Sequence, residues 1–538
     1  MFSSSKWEGL AKIGRFDVNS KSITTPTLFP VVDPFQQNID IQRMKSDFGF
    51  DQVITSSYLM SKRFSNSENG IFKLPNLQEL PSIESYLNYD GVIMMDSGAY
   101  QVMLYGDIEL GVIDTLELQM NVGPDIGVIM DHPIGYNVPY NSAKKRIETT
   151  LTNLKTSIDY FRESKVHWTL PIQGGKYIDL IDYYLDKVLN EDTLRHFSMF
   201  ALGSVVPVMI NQDYDTLVKM IATARSKLPV TYPLHLFGAG HPAMFALATF
   251  LGCDTFDSAA YALMAKDGRY LTVDGTLQLE NIDEFPCSCR ICSSYTVKEF
   301  KALEKTIKFQ FLSEHNLWES AAEIKRIREA IKMGRLWDLV HQRANSVPRL
   351  GRATRLATDF VSTGNLAKLH QAGTPSSLQF APRITKKADL QKVDYQRIKS
   401  VSKRIIFDNS CTRVIIIAYT MIDSIFNKLV DDQISKVMKD ENDYQILLLL
   451  PPFGLVPIGL NELFPVAQLV HELEIESFDF DDEIRQITNL FSDKTKRIDI
   501  ILPETWPSKF YEKVVQITGE IFFHINNKPL SVLKELFN

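Results

Sequence analysis

The chain is poor in cysteine, with only five in 538 residues, and it has no basic excess, since its net charge is −7. Five thiols are too few for a disulfide framework and fit a reducing compartment, so a cytoplasmic location is expected. The opening stretch MFSSSKWEGLAKIGRF lacks the apolar core of a secretory signal. Long uninterrupted apolar runs are also missing. The most apolar stretch, 444–460, is broken by Pro451, Pro452, Gly454 and Pro457. That pattern predicts a buried strand and a turn, and no membrane partner is expected. A net acidic balance argues against a general nucleic-acid binder, yet local counts differ. Residues 298–355 hold 13 Lys/Arg against 7 Asp/Glu, and residues 383–404 hold 8 against 2. Each run alone reads as a solvated helix face; together they make a polyanion surface.

What is present is a folded, multidomain composition: 45% hydrophobic and 23% charged residues over a length that suggests about three or four domains. Three of the five cysteines fall in Cys287-Ser288-Cys289-Arg290-Ile291-Cys292, and His315 follows after a helical interval. Zinc takes four thiolate or imidazole ligands in a tetrahedron, and C-x-C-x-x-C with a distant histidine supplies them. One structural Zn²⁺ per chain is expected, because no coordination position is left open. The two remaining thiols, Cys253 and Cys411, read as small buried apolar groups.

The first 285 residues alternate β-rich apolar runs with amphipathic stretches, which predicts βα units around a parallel sheet. Strands are expected at 27–32, 52–56, 92–95, 126–130, 167–172, 199–202, 232–237 and 255–256. Eight is the number that closes a (β/α)8 TIM barrel; an open doubly wound sheet is the competing α/β architecture. The runs exit into Asp96-Ser97-Gly98, Asp131-His132-Pro133, Gln173-Gly174-Gly175, Gly203-Ser204, Gly238-Ala239-Gly240 and Asp257-Ser258. A barrel builds its active site from these C-terminal loops. Turn preference alone accounts for the glycines, but less well for the aspartates and the glutamine. The expected division is a barrel over 1–285, a zinc-binding insert over 286–345 with a helix spanning 319–343, a loop-rich basic linker over 346–403, and a smaller C-terminal α/β domain over 404–538.

Asp96 and Asp257 each follow a strand and are expected at the barrel mouth. Two carboxylates facing one site suit cleavage of a glycosidic bond through a covalent intermediate. The competing reading is that either caps the helix behind it. Gly238-Ala239-Gly240-His241-Pro242-Ala243 matches a dinucleotide fingerprint, but the acidic partner about twenty residues on is missing, so close backbone approach to a ribose or phosphate is preferred. His132, His235 and His241 read as structural hydrogen-bonding groups.

Taken together, Asp96-Ser97-Gly98-Ala99-Tyr100-Gln101, Gln173-Gly174-Gly175, Leu234-His235-Leu236-Phe237-Gly238, Phe256-Asp257-Ser258-Ala259-Ala260-Tyr261 and the cysteine cluster with His315-Asn316-Leu317 resemble the tRNA-guanine transglycosylases, the archaeal type above all. The resemblance is close over 1–345 and looser beyond, where Pro452-Phe453-Gly454-Leu455-Val456-Pro457 matches. It implies a pentosyltransferase on a zinc-bearing TIM barrel. That enzyme exchanges guanine 15 in the tRNA D-arm for 7-cyano-7-deazaguanine (preQ0), toward archaeosine, through a ribosyl-aspartate. By the same resemblance Asp257 is the nucleophile and Asp96 the general acid/base. Asp131 and Gln173 hold the guanine edge, Gly203 forms the pocket wall and Tyr100 stacks on the base. Cys287, Cys289, Cys292 and His315 match the zinc ligands.

The resemblance also implies tRNA, guanine and preQ0 as partners and a homodimer. The PUA domain common in the archaeal type is not seen, so a separate PUA-domain protein is expected to supply it. The competing functions are an archaeosine-synthase-like paralogue, a non-catalytic partner subunit, and a zinc-containing glycosidase or aldolase. Retention of both aspartates argues against the first two, and the Gln173-Gly174-Gly175 and His315-Asn316-Leu317 strings have no role in the third.

Overall fold

The structure, a computed structural model, describes residues 1–35, 38–64, 80–101, 110–160 and 164–373; beyond these it describes 383–384, 389, 392, 411–418, 444–451, 454–458, 470–471, 478, 480–490, 497–517, 520–526, 532 and 535–536. Two compact units divide the chain, Met1–Gly373 and Thr374–Asn538.

The first unit opens with three antiparallel strands, β1 (Phe2–Glu8), β2 (Ala11–Val18) and β3 (Lys21–Thr25). Eight parallel strands follow: β4 (Thr27–Pro30), β5 (Gln52–Ser56), β6 (Val92–Asp96), β7 (Ile126–Val128), β8 (His167–Ile172), β9 (Met199–Leu202), β10 (Leu234–Leu236) and β11 (Thr255–Ser258). Their order, β4-β11-β10-β9-β8-β7-β6-β5, is that of a barrel. A parallel bridge from Val31 to Ile54 joins the two ends, with the Val32 N–H donating to the Ile54 carbonyl at 2.8 Å. All eight expected strands are present. The (β/α)8 barrel is therefore the fold, and the open sheet is excluded.

Side chains alternate across a strand, so every second residue points into the barrel. Phe29, Ile54, Val92, Met94, Ile126, Val128 and Met199 fill the interior together with Phe16, Val18 and Ile23 from the N-terminal sheet. The same alternation carries Asp96 inward after Met94, and Asp257 after Thr255. The barrel core is thus apolar below and acidic at its C-terminal mouth.

After β11, helix Ala260–Lys266 leads into the hairpin β12 (Arg269–Thr272) and β13 (Gly275–Gln278), and then to the cysteine knuckle. The expected helix over 319–343 is instead two. Lys305–Met333 ends at Gly334, which has a left-handed φ of 66°, and Leu336–Ala344 follows. A left-handed residue stops the α-helical hydrogen-bond ladder, and glycine adopts that conformation without a Cβ penalty. Ile324, Ile327, Ile331 and Leu336 are buried as their spacing predicts. Residues 348–372 are not loops. They form helices Pro348–Ser362 and Gly364–Ala372.

In the second unit, strands Arg413–Ala418, Tyr444–Leu450, Arg497–Leu502 and Glu520–Ile525 lie parallel, with Gly454–Pro457 antiparallel at one edge. They confirm the smaller α/β sheet. Val414, Ile416, Leu447, Leu449, Ile498 and Ile500 form its core with Phe480 and Phe510. Most of the basic run 383–404, together with Pro452 and Phe453, lies outside the described residues. Among the described residues, no helix is long and apolar enough to cross a membrane.

Candidate active site and metal centre

Asp96 closes β6 and Asp257 lies in β11, both at the barrel's C-terminal end. Asp96 senses the charges of Asp131 and Asp257. Burial, then the charges of Asp131 and Asp257, push the Asp96 carboxyl up to about 7 from the usual 3.8, against the pull of the Gly98 and Ser97 backbone N–H groups. Asp257 is differently placed. Its Oδ1 accepts from the Gly238 N–H at 2.7 Å and faces His235 Nε2 at 3.1 Å. No hydrogen bond occupies its Oδ2 among the described residues. Asp96 is thereby fitted to hold a proton, and Asp257, held through one oxygen, to present the other.

Asp131, Gln173 and Gly203 meet beside them. Gln173 Nε2 donates to Asp131 Oδ2. Gln173 Oε1 accepts from the Ser204 hydroxyl at 2.5 Å, and Ser204 Oγ accepts from the Ile134 N–H at 2.7 Å. This relay fixes which way the amide faces and leaves one N–H of Gln173 for a ligand. Gly203 lies directly under it: a Cβ there would sit 2.2 Å from Gln173 Nε2. Burial lifts the Asp131 carboxyl to about 6, with the Gln173 bond opposing. The Asp131 loop is held by the Asn153 amide, which donates to the Met130 carbonyl at 3.1 Å, and by the His132 N–H donating to Thr150 Oγ1 at 3.0 Å. Tyr100, four residues past Asp96, is half-buried. No described contact ties it to this group, and its neighbours 102–109 lie outside the described residues.

Asp96 gives a stability test. A carboxyl that keeps its proton in the fold up to about 7, but ionises near 3.8 when free, contributes stability in full below about pH 3.8. That contribution is lost as pH rises through about 7. Asp96→Asn removes the loss. We expect it to raise Tm more at pH 8 than at pH 4, by on the order of 2–4 kcal/mol in unfolding free energy. Equal shifts at both pH values would contradict the assignment.

The ligand atoms of Cys287, Cys289, Cys292 and His315 lie within 4.8 Å of one another. Cys289 Sγ and Cys292 Sγ are 3.6 and 3.4 Å from His315 Nδ1. A tetrahedral ion with bonds of about 2.3 Å to sulfur and about 2.05 Å to nitrogen sets such an edge near 3.6 Å. His315 Nε2 faces the Leu271 carbonyl at 2.9 Å, which assigns it the proton and leaves Nδ1 for the metal. The Tyr270 ring stacks on His315 at 3.6 Å and its hydroxyl lies 3.2 Å from Cys292 Sγ. Sequence reasoning missed Tyr270; nothing in Gly268-Arg269-Tyr270-Leu271 points to it. Asn316 bonds the backbone of Leu271, Tyr261 and Arg269, which gives the His315-Asn316-Leu317 string a physical role. Tyr261 in turn donates to the Val31 carbonyl at 2.9 Å, tying helix Ala260–Lys266 to the barrel just beyond Asp257.

Cys253 and Cys411 are buried as expected. After β10 the Gly238 N–H donates to Asp257, and His241 caps helix Pro242–Phe250 by accepting from the Ala243 N–H at 3.2 Å.

A family model described as queuine tRNA-ribosyltransferase matches residues 7–349. The tRNA-guanine(15) transglycosylase of Methanococcus aeolicus is 34% identical over 520 residues, covering 93% of this chain and 73% of that protein. The protein of the same name from Methanocaldococcus jannaschii is 35% identical over 488 residues, covering 89% and 69%. That from Sulfolobus acidocaldarius is 34% identical over 478 residues, covering 86% and 87%. With a closed barrel, acidic groups and an amide at its mouth, and a Cys3His cluster beside it, the chain belongs to the queuine tRNA-ribosyltransferase family, that of the tRNA-guanine transglycosylases.

Proposed function

We propose that this protein exchanges guanine 15 of tRNA for preQ0 through a covalent ribosyl-Asp257 intermediate. The observation that carries the reading is the division of labour at one mouth: a half-held carboxylate, a carboxyl raised to about 7, and an acid–amide pair. The target nucleoside leaves its stack and enters the pocket. Asp131 accepts from guanine N1–H and the exocyclic amine, and the spare Gln173 N–H donates to O6. Bases without that edge leave buried polar groups unpaired and are rejected. The 7-cyano group leaves the edge unchanged, so preQ0 fits the same pocket. Tyr100 stacks on the base.

Asp257 Oδ2 attacks the ribose C1′ as the C1′–N9 bond breaks. The bonding pair leaves with guanine, which takes a proton from Asp96. PreQ0 then enters and gives its N9 proton to Asp96. Its N9 pair attacks C1′, the ester bond breaks, and Asp257 is restored. A carboxyl raised toward neutrality can serve as acid in the first half and base in the second.

Zinc is the ion that Cys287, Cys289, Cys292 and His315 would hold. Its contribution is structural, and no reaction step passes through it. Basic residues of the 298–355 stretch would hold the phosphate backbone. A homodimer is supported by Leu263, Leu277 and Ile307, large apolar side chains exposed on elements around the cysteine cluster.

The test is to incubate the protein with tRNA and labelled guanine, then with unlabelled preQ0. Label is expected to enter one D-arm position and to be displaced by preQ0. Failure to incorporate guanine into tRNA would sink the reading.

A further inference from the structure

We propose that His235 is a positioning residue for Asp257: its ring, oriented by Thr255, binds one carboxylate oxygen and so turns the other toward the sugar. The inference rests on the reading of Asp257 as nucleophile. It goes beyond that reading by naming what aims the nucleophile.

His235 is fully buried inside the barrel, on β10. Its Nε2 lies 3.1 Å from Asp257 Oδ1, and its Nδ1 lies 2.9 Å from Thr255 Oγ1. A carboxylate only accepts, so Nε2 carries the proton; in the neutral ring Nδ1 then accepts from the Thr255 hydroxyl. That hydroxyl has one other acceptor, the Met199 sulfur, at the longer distance of 3.7 Å. The Asp257 carboxylate therefore selects the tautomer, and Thr255 holds the ring from its other nitrogen. The Gly238 N–H reaches the same Oδ1 from the strand exit at 2.7 Å. Two donors on one oxygen fix the rotation of the carboxylate.

The ring itself has no freedom. Phe29 and Phe237 meet it edge-on, with centroids at 5.9 and 4.8 Å. This apolar cage would suit phenylalanine equally well by shape. A buried imidazole with both nitrogens paired, and one of them paired to the attacking carboxylate, instead does polar work. A nucleophile misplaced by about 1 Å can cost about 100-fold in rate, which is the scale of effect to expect.

The experiment compares wild type with His235→Phe, His235→Gln, Thr255→Val and Asp257→Asn in guanine exchange and in single-turnover formation of the protein–RNA adduct. His235→Phe keeps the ring and removes both nitrogens. Its kcat is expected to fall about 10- to 100-fold, with adduct formation slowed in parallel and KM for tRNA within about twofold. His235→Gln restores a donor near the Nε2 position and should recover most of the loss. Thr255→Val leaves the ring in place and removes the hydrogen bond that orients it through Nδ1. It should lower kcat about 3- to 10-fold by the same reasoning, and it decides the matter if His235→Phe fails to fold.

A wild-type kcat in His235→Phe overturns the proposal, as does a glutamine variant as slow as the phenylalanine one. If His235→Phe does not fold, a wild-type kcat in Thr255→Val overturns it. Asp257→Asn separates the two layers. If it is inactive while His235→Phe is unaffected, only the positioning role falls. If Asp257→Asn still exchanges base, the nucleophile reading falls, and the positioning role with it.

Discussion

Asp257→Asn is expected to abolish base exchange, by at least about 10⁴-fold in kcat, because no other group can hold the ribose between the two half-reactions. The substitution preserves shape, and the oxygen of the new amide can still accept from Gly238 and His235. What it removes is the second, attacking oxygen. The amide nitrogen put in its place has no usable lone pair, so the C1′ bond cannot form. Affinity for tRNA should hold within a few-fold, since phosphate contacts dominate it. The variant also removes one of the two negative charges that raise the Asp96 carboxyl. The titration of Asp96 should therefore move to lower pH in Asp257→Asn, and the pH dependence of stability should move with it. An asparagine can deamidate back to aspartate on storage, so Asp257→Ala is the companion variant, with no route back. Activity in the alanine protein would remove Asp257 from the chemistry.

Cys292→Ser is expected to have the second largest effect, on stability rather than on the chemical step. A hydroxyl is a poor replacement for a thiolate on zinc, and Cys292 is buried with Tyr270 against its sulfur. Structural zinc contributes about 10–16 kcal/mol of apparent binding free energy in small finger peptides. The knuckle here leans on a large barrel, so the loss should be smaller, about 3–5 kcal/mol, comparable to breaking a buried polar cluster. Bound metal, read by a colorimetric chelator, should fall from one per chain to none, and the calorimetric transition should move down by several degrees. Activity should fall less steeply than in Asp257→Asn. The link to the active site is indirect: His315 and Asn316 grip the backbone of Leu271, Arg269 and Tyr261, and Tyr261 ties that segment to Val31 beside β11. An apo-protein as stable and as active as the metal-loaded one would deny the site a structural role.

The barrel was legible because buried parallel strands read as short apolar runs with polar exits. All eight were visible, and the faults lay outside the barrel sheet. The β1–β3 sheet was missed because strands such as Phe2-Ser3-Ser4-Ser5-Lys6 are polar and largely exposed. Residues 348–372 resemble loop in sequence because arginine and threonine are frequent there. Leu350, Ala353, Ala357 and Val361 nonetheless make a helical stripe. Thr354 and Thr358 join it by returning their hydroxyls to the Leu350 and Thr354 carbonyls at 3.0 Å.

The site was legible where a side chain leaves a strand end. Asp96, Asp131, Gln173 and Asp257 do so at the mouth, and the Gly203 backbone lies against Gln173. His235 reads as a structural hydrogen-bonding group and is one, but which groups aim which was not legible. Ser204 meets Gln173 from 31 residues away and His235 meets Asp257 from 22. Contacts of that separation are made when neighbouring strands pair across an intervening helix, and they leave no local pattern.

The intermediate joins ribose C1′ to one named aspartate in the proposed reaction. The protein should be denatured during turnover on tRNA, the RNA digested, and the peptides mapped by mass spectrometry. A ribonucleotide mass carried by the peptide containing Asp257, and absent from Asp257→Ala, is the predicted result. The same mass on Asp96, or on any other residue, would contradict it.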